Sequence, residues 1–171
     1  MTAPVQEPTP RPGTPPALHS IQPTAQGANY SLARLGPVCD LEQYGVKHPR
    51  FPAPVMGKVF LKDILNLTAM EISFGVMPAQ AAMPFLHKHR NNEEVYLIIQ
   101  GCGQMQIDGD VLDVEAGTAI RVAPDGVRTW RNTSNENLFY IVIQAKENSL
   151  THWTLSDGIG ISNPVEWPQT A

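Results

Sequence analysis

His87, His89 and Glu94 stand in the pattern His-x-His, four residues, Glu, with Gly101 after six more. Imidazole nitrogens and a carboxylate oxygen together suit a divalent transition ion such as iron, manganese, zinc, nickel or copper. Three protein ligands leave coordination positions open for water or a substrate, as catalytic metal sites do. The competing reading is that the two histidines are ordinary core side chains.

Such a site needs an element that turns both imidazoles the same way. In an extended segment alternate side chains share a face, so His87 and His89 point together while Lys88 faces the opposite side. Arg90-Asn91-Asn92 reads as a polar turn, and Glu94 opens the apolar run Val95-Tyr96-Leu97-Ile98-Ile99. A hairpin-like arrangement would bring the three donors to one point inside a sheet sandwich. Tyr96 and Ile98 share the face of Glu94, which makes Tyr96 a candidate for contacting a substrate.

The surrounding sequence reads as strands. From Thr68 to Val76 the residues Met70, Ile72, Phe74 and Val76 fall on one face, a period-two pattern. Val95–Ile99 is apolar on both faces and reads as a central strand. Asp108-Gly109, between Gln104–Ile107 and Val111–Val114, supplies the positive φ of a tight hairpin. Further strands are expected at Ala119–Val122, around Thr129–Asn132 and at Leu138–Gln144. No amphipathic helix interrupts this series, which indicates an all-β sandwich or barrel.

The 171 residues suit one domain with extensions. Residues 1–26 carry seven prolines and read as a flexible arm. Residues 27–56 read as a strap or edge strand, 57–146 as the body, and 147–171 as an irregular C-terminal extension packed over one end of it. A net charge of −4 without a basic block argues against nucleic acid and anionic membrane as partners. No apolar run approaches the ~20 residues of a membrane span, and no signal-peptide pattern opens the chain. Cys39 and Cys102 are too few for a disulfide scaffold. A soluble, cytoplasmic protein with two free thiols is expected.

The body resembles the cupin family, whose fold is a double-stranded β-helix, or jelly-roll barrel. The likeness covers about residues 57–146 and rests on Gly75, His87, His89, Glu94 and Gly101, then on Gly117, Pro124, Gly126 and Asn132. In metal-binding cupins a histidine of the second motif joins the two histidines and the glutamate of the first. The resemblance therefore implies a small single-domain cupin with His87, His89 and Glu94 as metal ligands.

The fourth ligand is absent here, so the second motif is degenerate. Counting forward from Gly126 puts Thr129 in its slot, whereas counting back from Asn132 puts Arg128 there. A one-residue slip exchanges lumen-facing and outward-facing side chains. Arg128 keeps the strand face of Asn132 and is the weakly favoured choice. Arg128, Thr129 and Tyr96 are thus the candidate substrate-binding residues, with Arg128 a clamp for a substrate carboxylate or phosphate.

Two functions follow from the resemblance. One is a metal-dependent enzyme, dioxygenase- or isomerase-like, acting on a small polar or anionic molecule; its catalytic residues are not identified. The other is a non-catalytic binding or sensor protein, metal-free where an Arg128–Glu94 pair takes the ion's place. A homodimer is expected from the two-sided apolar strand and from the family's habit of pairing barrels.

Overall fold

The computed structural model describes residues 21–48, 51–152 and 154–168. Most of the expected proline-rich arm lies outside them. Among the described residues, twelve strands account for nearly all regular structure. They are β1 (Ala25–Gly27), β2 (Tyr30–Leu32), β3 (Gly45–Val46), β4 (Val55–Met56), β5 (Lys58–Phe60), β6 (Met70–Met77), β7 (Asn92–Gln100), β8 (Cys102–Ile107), β9 (Asp110–Glu115), β10 (Ala119–Val122), β11 (Arg128–Asn132) and β12 (Leu138–Lys146). Among the described residues the α-helices are single turns, Lys62–Leu65 and Thr154–Asp157. None is long and apolar enough to cross a membrane.

Two antiparallel sheets enclose the lumen. One runs β10-β7-β12-β6-β5 and the other β11-β8-β9. Met77, Tyr96, Met105, Val114, Val122 and Tyr140, drawn from both, pack between them. The β8–β9 turn is tight because Asp108 and Gly109 both take positive φ, 52° and 99°, as a type I′ hairpin requires. β7 is central, as its apolar run predicts, but its outer face is not closed: Ile99 is 49% exposed.

The alternation in β6 has an unexpected consequence. Its regular apolar face, Ile72, Phe74 and Val76, turns away from the lumen and packs with Leu41, Val59, Leu61 and Phe139. This second core lies between the five-stranded sheet and the segment before β6. Leu41, on a 3₁₀ turn spanning Val38–Gln43, is 1% exposed and anchors it. The strap therefore covers the part of the outer sheet face around β6. The less apolar face of β6, with Glu71, Ser73 and Met77, lines the lumen cavity.

Gly75 sits on that inner face. A Cβ there would fall 2.3 Å from the Tyr140 ring, so only glycine lets Tyr140, its β12 partner, lie across the strand. Among the described residues of the C-terminal extension, several large apolar groups stand away from the body. Ile159, Ile161, Val165 and Trp167 are each at least 75% exposed.

Candidate metal centre

The segment carrying the histidines runs antiparallel beside β11. His87 and Arg128 exchange backbone hydrogen bonds of 3.1 and 2.9 Å, and the His89 amide donates to Pro124 O. This extended geometry sends both imidazoles into the lumen, with ring centroids 5.5 Å apart. Lys88 faces outward and pairs with Asp125 at 3.0 Å. Glu94 enters from β7, and its β12 partner is Gln144.

The donors converge as their spacing predicts. One ligand atom from each of His87, His89 and Glu94 lies within 4.8 Å of the others. His89 Nε2 is 3.1 Å from Glu94 Oε1, and His87 Nε2 is 3.9 Å from Glu94 Oε2. An ion bonded at ~2.1 Å separates neighbouring donors by roughly 3.0–3.4 Å. One pair already meets that spacing, and a small ring movement brings in the other. The residues present fit a divalent metal, with His87, His89 and Glu94 as its ligands.

Glu94 is the hub of the site and only 6% exposed. Its Oε2 accepts the Tyr96 hydroxyl at 2.6 Å, Arg128 Nη2 at 2.6 Å and Arg128 Nε at 3.1 Å. Its Oε1 accepts Gln144 Nε2 at 3.1 Å, and that same amide nitrogen is 3.3 Å from His89 Nε2. Burial alone would push the Glu94 carboxyl up. Hydrogen bonds from His89, Tyr96 and Arg128 outweigh it and hold the group well below the usual carboxylate range. Tyr96 is driven far above the ordinary phenol range by burial and by the adjacent Glu94 charge, so it stays a neutral donor.

Arg128 occupies the lumen face of β11 with Trp130 and Asn132, and its own exposure is 0%. Counting back from Asn132 therefore gives the correct register. Asn132 is the fixed point: its Nδ2 donates to the carbonyls of Met77, Pro78 and Glu136, and its Oδ1 accepts from Ser134. Thr129, the alternative, points outward; its hydroxyl donates to Met83 O at 3.3 Å, away from Glu94. Arg128 itself is committed to Glu94 and, through Nη1, to Gly126 O at 2.8 Å. These bonds use three of its five N–H groups, and the fully buried side chain is not among the residues that line the cavity. Gln104 also faces outward, bonding Arg131 and Asp113.

The triad lines a cavity of about 600 Å³ whose wall is mostly apolar. Three residues that the sequence did not single out for the site also line it. His48, from the strap, packs beside Phe51 and Phe85, with centroids 5.1 and 6.3 Å away. Gln144 touches both His89 and Glu94. Lys58 enters from β5, next to Phe60 and opposite Gly75. No motif marks these positions; the pairing of β5 and β12 with β6 brings in Lys58 and Gln144, and the strap brings in His48.

Comparison with known proteins agrees with this architecture. Residues 73–144 match the sequence model described as Cupin domain. The crystal structure of a cupin protein from Bacteroides fragilis is 37% identical, with a TM-score of 0.60, covering 68% of this chain and 97% of that one. The chain belongs to the cupin family. An uncharacterised protein of Methanocaldococcus jannaschii is 34% identical over 62 residues, 33% of this chain and half the length of that curated relative.

Proposed function

We propose that this cupin holds one divalent transition metal on His87, His89 and Glu94 and uses it to bind and transform a small organic molecule in the lumen. The observation that carries this reading is the meeting of three donor side chains, within 4.8 Å, at the wall of a cavity near 600 Å³. That volume is in the range of small-molecule sites, about 300–1,000 Å³.

When bound, iron, manganese, zinc or nickel supplies Lewis-acid or, for iron and manganese, redox chemistry at a substrate oxygen. The protein's own residues prepare that chemistry. Arg128 and Tyr96 fix the outer oxygen of Glu94, leaving Oε1 beside His89 for the ion. Such bonds to a ligating carboxylate orient it and tune its donor strength. The mostly apolar wall strengthens polar contacts beside it. An oxygenase- or isomerase-like reaction is the enzyme class this arrangement supports. Product formation or oxygen uptake by wild-type protein should follow metal content and disappear in Glu94→Gln. Turnover that ignores both would remove the proposal.

A second reading has its own support. Arg128 gives Glu94 a full counter-charge through two bonds to Oε2, so the carboxylate is paired without an ion. In that case the lumen is a metal-free binding or sensing pocket. A ligand would then raise thermal stability without metal and without product. We also propose that two copies pair, because the C-terminal extension holds Ile159, Ile161 and Trp167 more than three-quarters exposed. Large apolar side chains left this exposed on one short segment favour burial against a partner.

A further inference from the structure

Lys58 is the lumen cation that the site leaves uncommitted. Its Nζ lies 4.8 Å from the centroid of the Tyr140 ring and 5.5 Å from that of Phe60. The ion pairs among the described residues do not include it. The two acids whose fields reach it, Glu94 and Glu71, are engaged elsewhere. Glu71 Oε1 accepts the backbone N–H groups of Leu61 and Lys62 at 3.0 and 2.9 Å. Glu94 is neutralised by Arg128. Lys58 therefore faces the cavity with two aromatic rings and no counter-ion.

The walls around it are hydrocarbon and aromatic, with Phe51, Met83, Phe85, Trp130 and Val142 among them. We propose that the lumen takes a monocarboxylate with an apolar, aromatic-sized body, and that Lys58 pairs with its carboxylate. The proposal rests on reading the lumen as a small-molecule site, and it does not require the metal.

Charge decides between anions. One ammonium balances one negative charge, whereas a phosphate dianion would leave an excess charge in an apolar cavity, which is costly. Arg128 is fully buried and already bonded to Glu94 and Gly126 O, whereas Lys58 lines the cavity. Burial lowers the Lys58 ammonium to about 8, so it is still mainly charged near neutrality yet poorly solvated. An incoming carboxylate relieves that condition, and the rings of Phe60 and Tyr140 keep the ammonium facing the cavity.

The test uses 3-phenylpropionate and its primary amide, which match in shape and differ in charge. Calorimetric titrations are run on chelator-treated and on zinc-loaded full-length protein, so loss of metal binding is read separately from loss of carboxylate recognition. Wild type should bind the carboxylate about tenfold or more tightly than the amide, since hydrogen bonds to charged groups exceed neutral ones by that order. Lys58→Met should bind both compounds alike, and Lys58→Arg should keep the preference. Lys58→Gln serves as a second charge-free variant should Lys58→Met fail to fold. The proposal is overturned if wild type does not bind the carboxylate saturably, does not prefer it, or if the preference survives removal of the Lys58 charge.

Discussion

At Glu94, a carboxylate that is 6% exposed must either carry compensation or lose its charge. Hydrogen bonds from His89, Tyr96 and Arg128 supply the compensation, and Arg128 brings a permanent counter-charge, so cutting Arg128 to Met should leave the buried carboxylate short of its cation. We expect thermal or urea unfolding to show a loss of about 3–5 kcal/mol. The pH response follows from the same bonds. Because folding lowers the Glu94 pKa, its stabilising contribution is complete above the unfolded carboxylate value of ~4.3 and is lost as pH falls below it. Lys58 behaves in the opposite manner. Folding lowers an amine from 10.5 to about 8, so the unfolded chain binds more protons between those values and stability rises with pH there. Below about 8 the cost is fully present. Lys58→Met should therefore be more stable than wild type at pH 7, with the difference shrinking from pH 8 to 10. Urea titrations across that range check the sign.

The strands carry part of the site openly in their sequence and conceal the rest. The imidazole pair and Glu94 were legible, because period-two alternation and a polar turn leave few ways to arrange His87, His89 and Glu94. The placement of Arg128 was half legible: the short second motif allowed two registers, and the Asn132 turn decides between them. The inner face of β6 was not legible. Its apolar pattern points to a core, yet a sequence does not say which of two cores receives it. Lys58 and Gln144 were hidden for a related reason, since they reach the lumen through long-range pairing. Two substitutions test these placements by chemical denaturation. Leu41→Ala, in the outer core, should cost about 2–5 kcal/mol while leaving the lumen chemistry intact. Gly75→Ala forces a methyl group into the Tyr140 ring and should cost about 1–3 kcal/mol through overpacking.

For the molecule as a whole, the design is a barrel closed on one side by its own N-terminal strap. That strap does two tasks at once. Leu41 seals the outer core, while Val46, His48 and Phe51 help to wall the cavity. That part of the wall belongs to a segment with short strands, β3 and β4 pairing over only two residues each. The opposite end of the chain carries the apolar extension. Truncation after residue 157 should shift the sedimentation profile from a pair toward a single copy at micromolar concentration. An unchanged profile would mean that the extension does not join the copies.

The central claim is that three side chains hold one ion. Equilibrium dialysis against zinc, manganese or iron(II), followed by elemental analysis, measures it directly. The account predicts about one tightly held ion per wild-type chain and loss of that ion in His87→Ala and in His89→Ala. Wild-type protein that retains no more metal than either variant would contradict it and leave the Arg128–Glu94 pair as the occupant of the site.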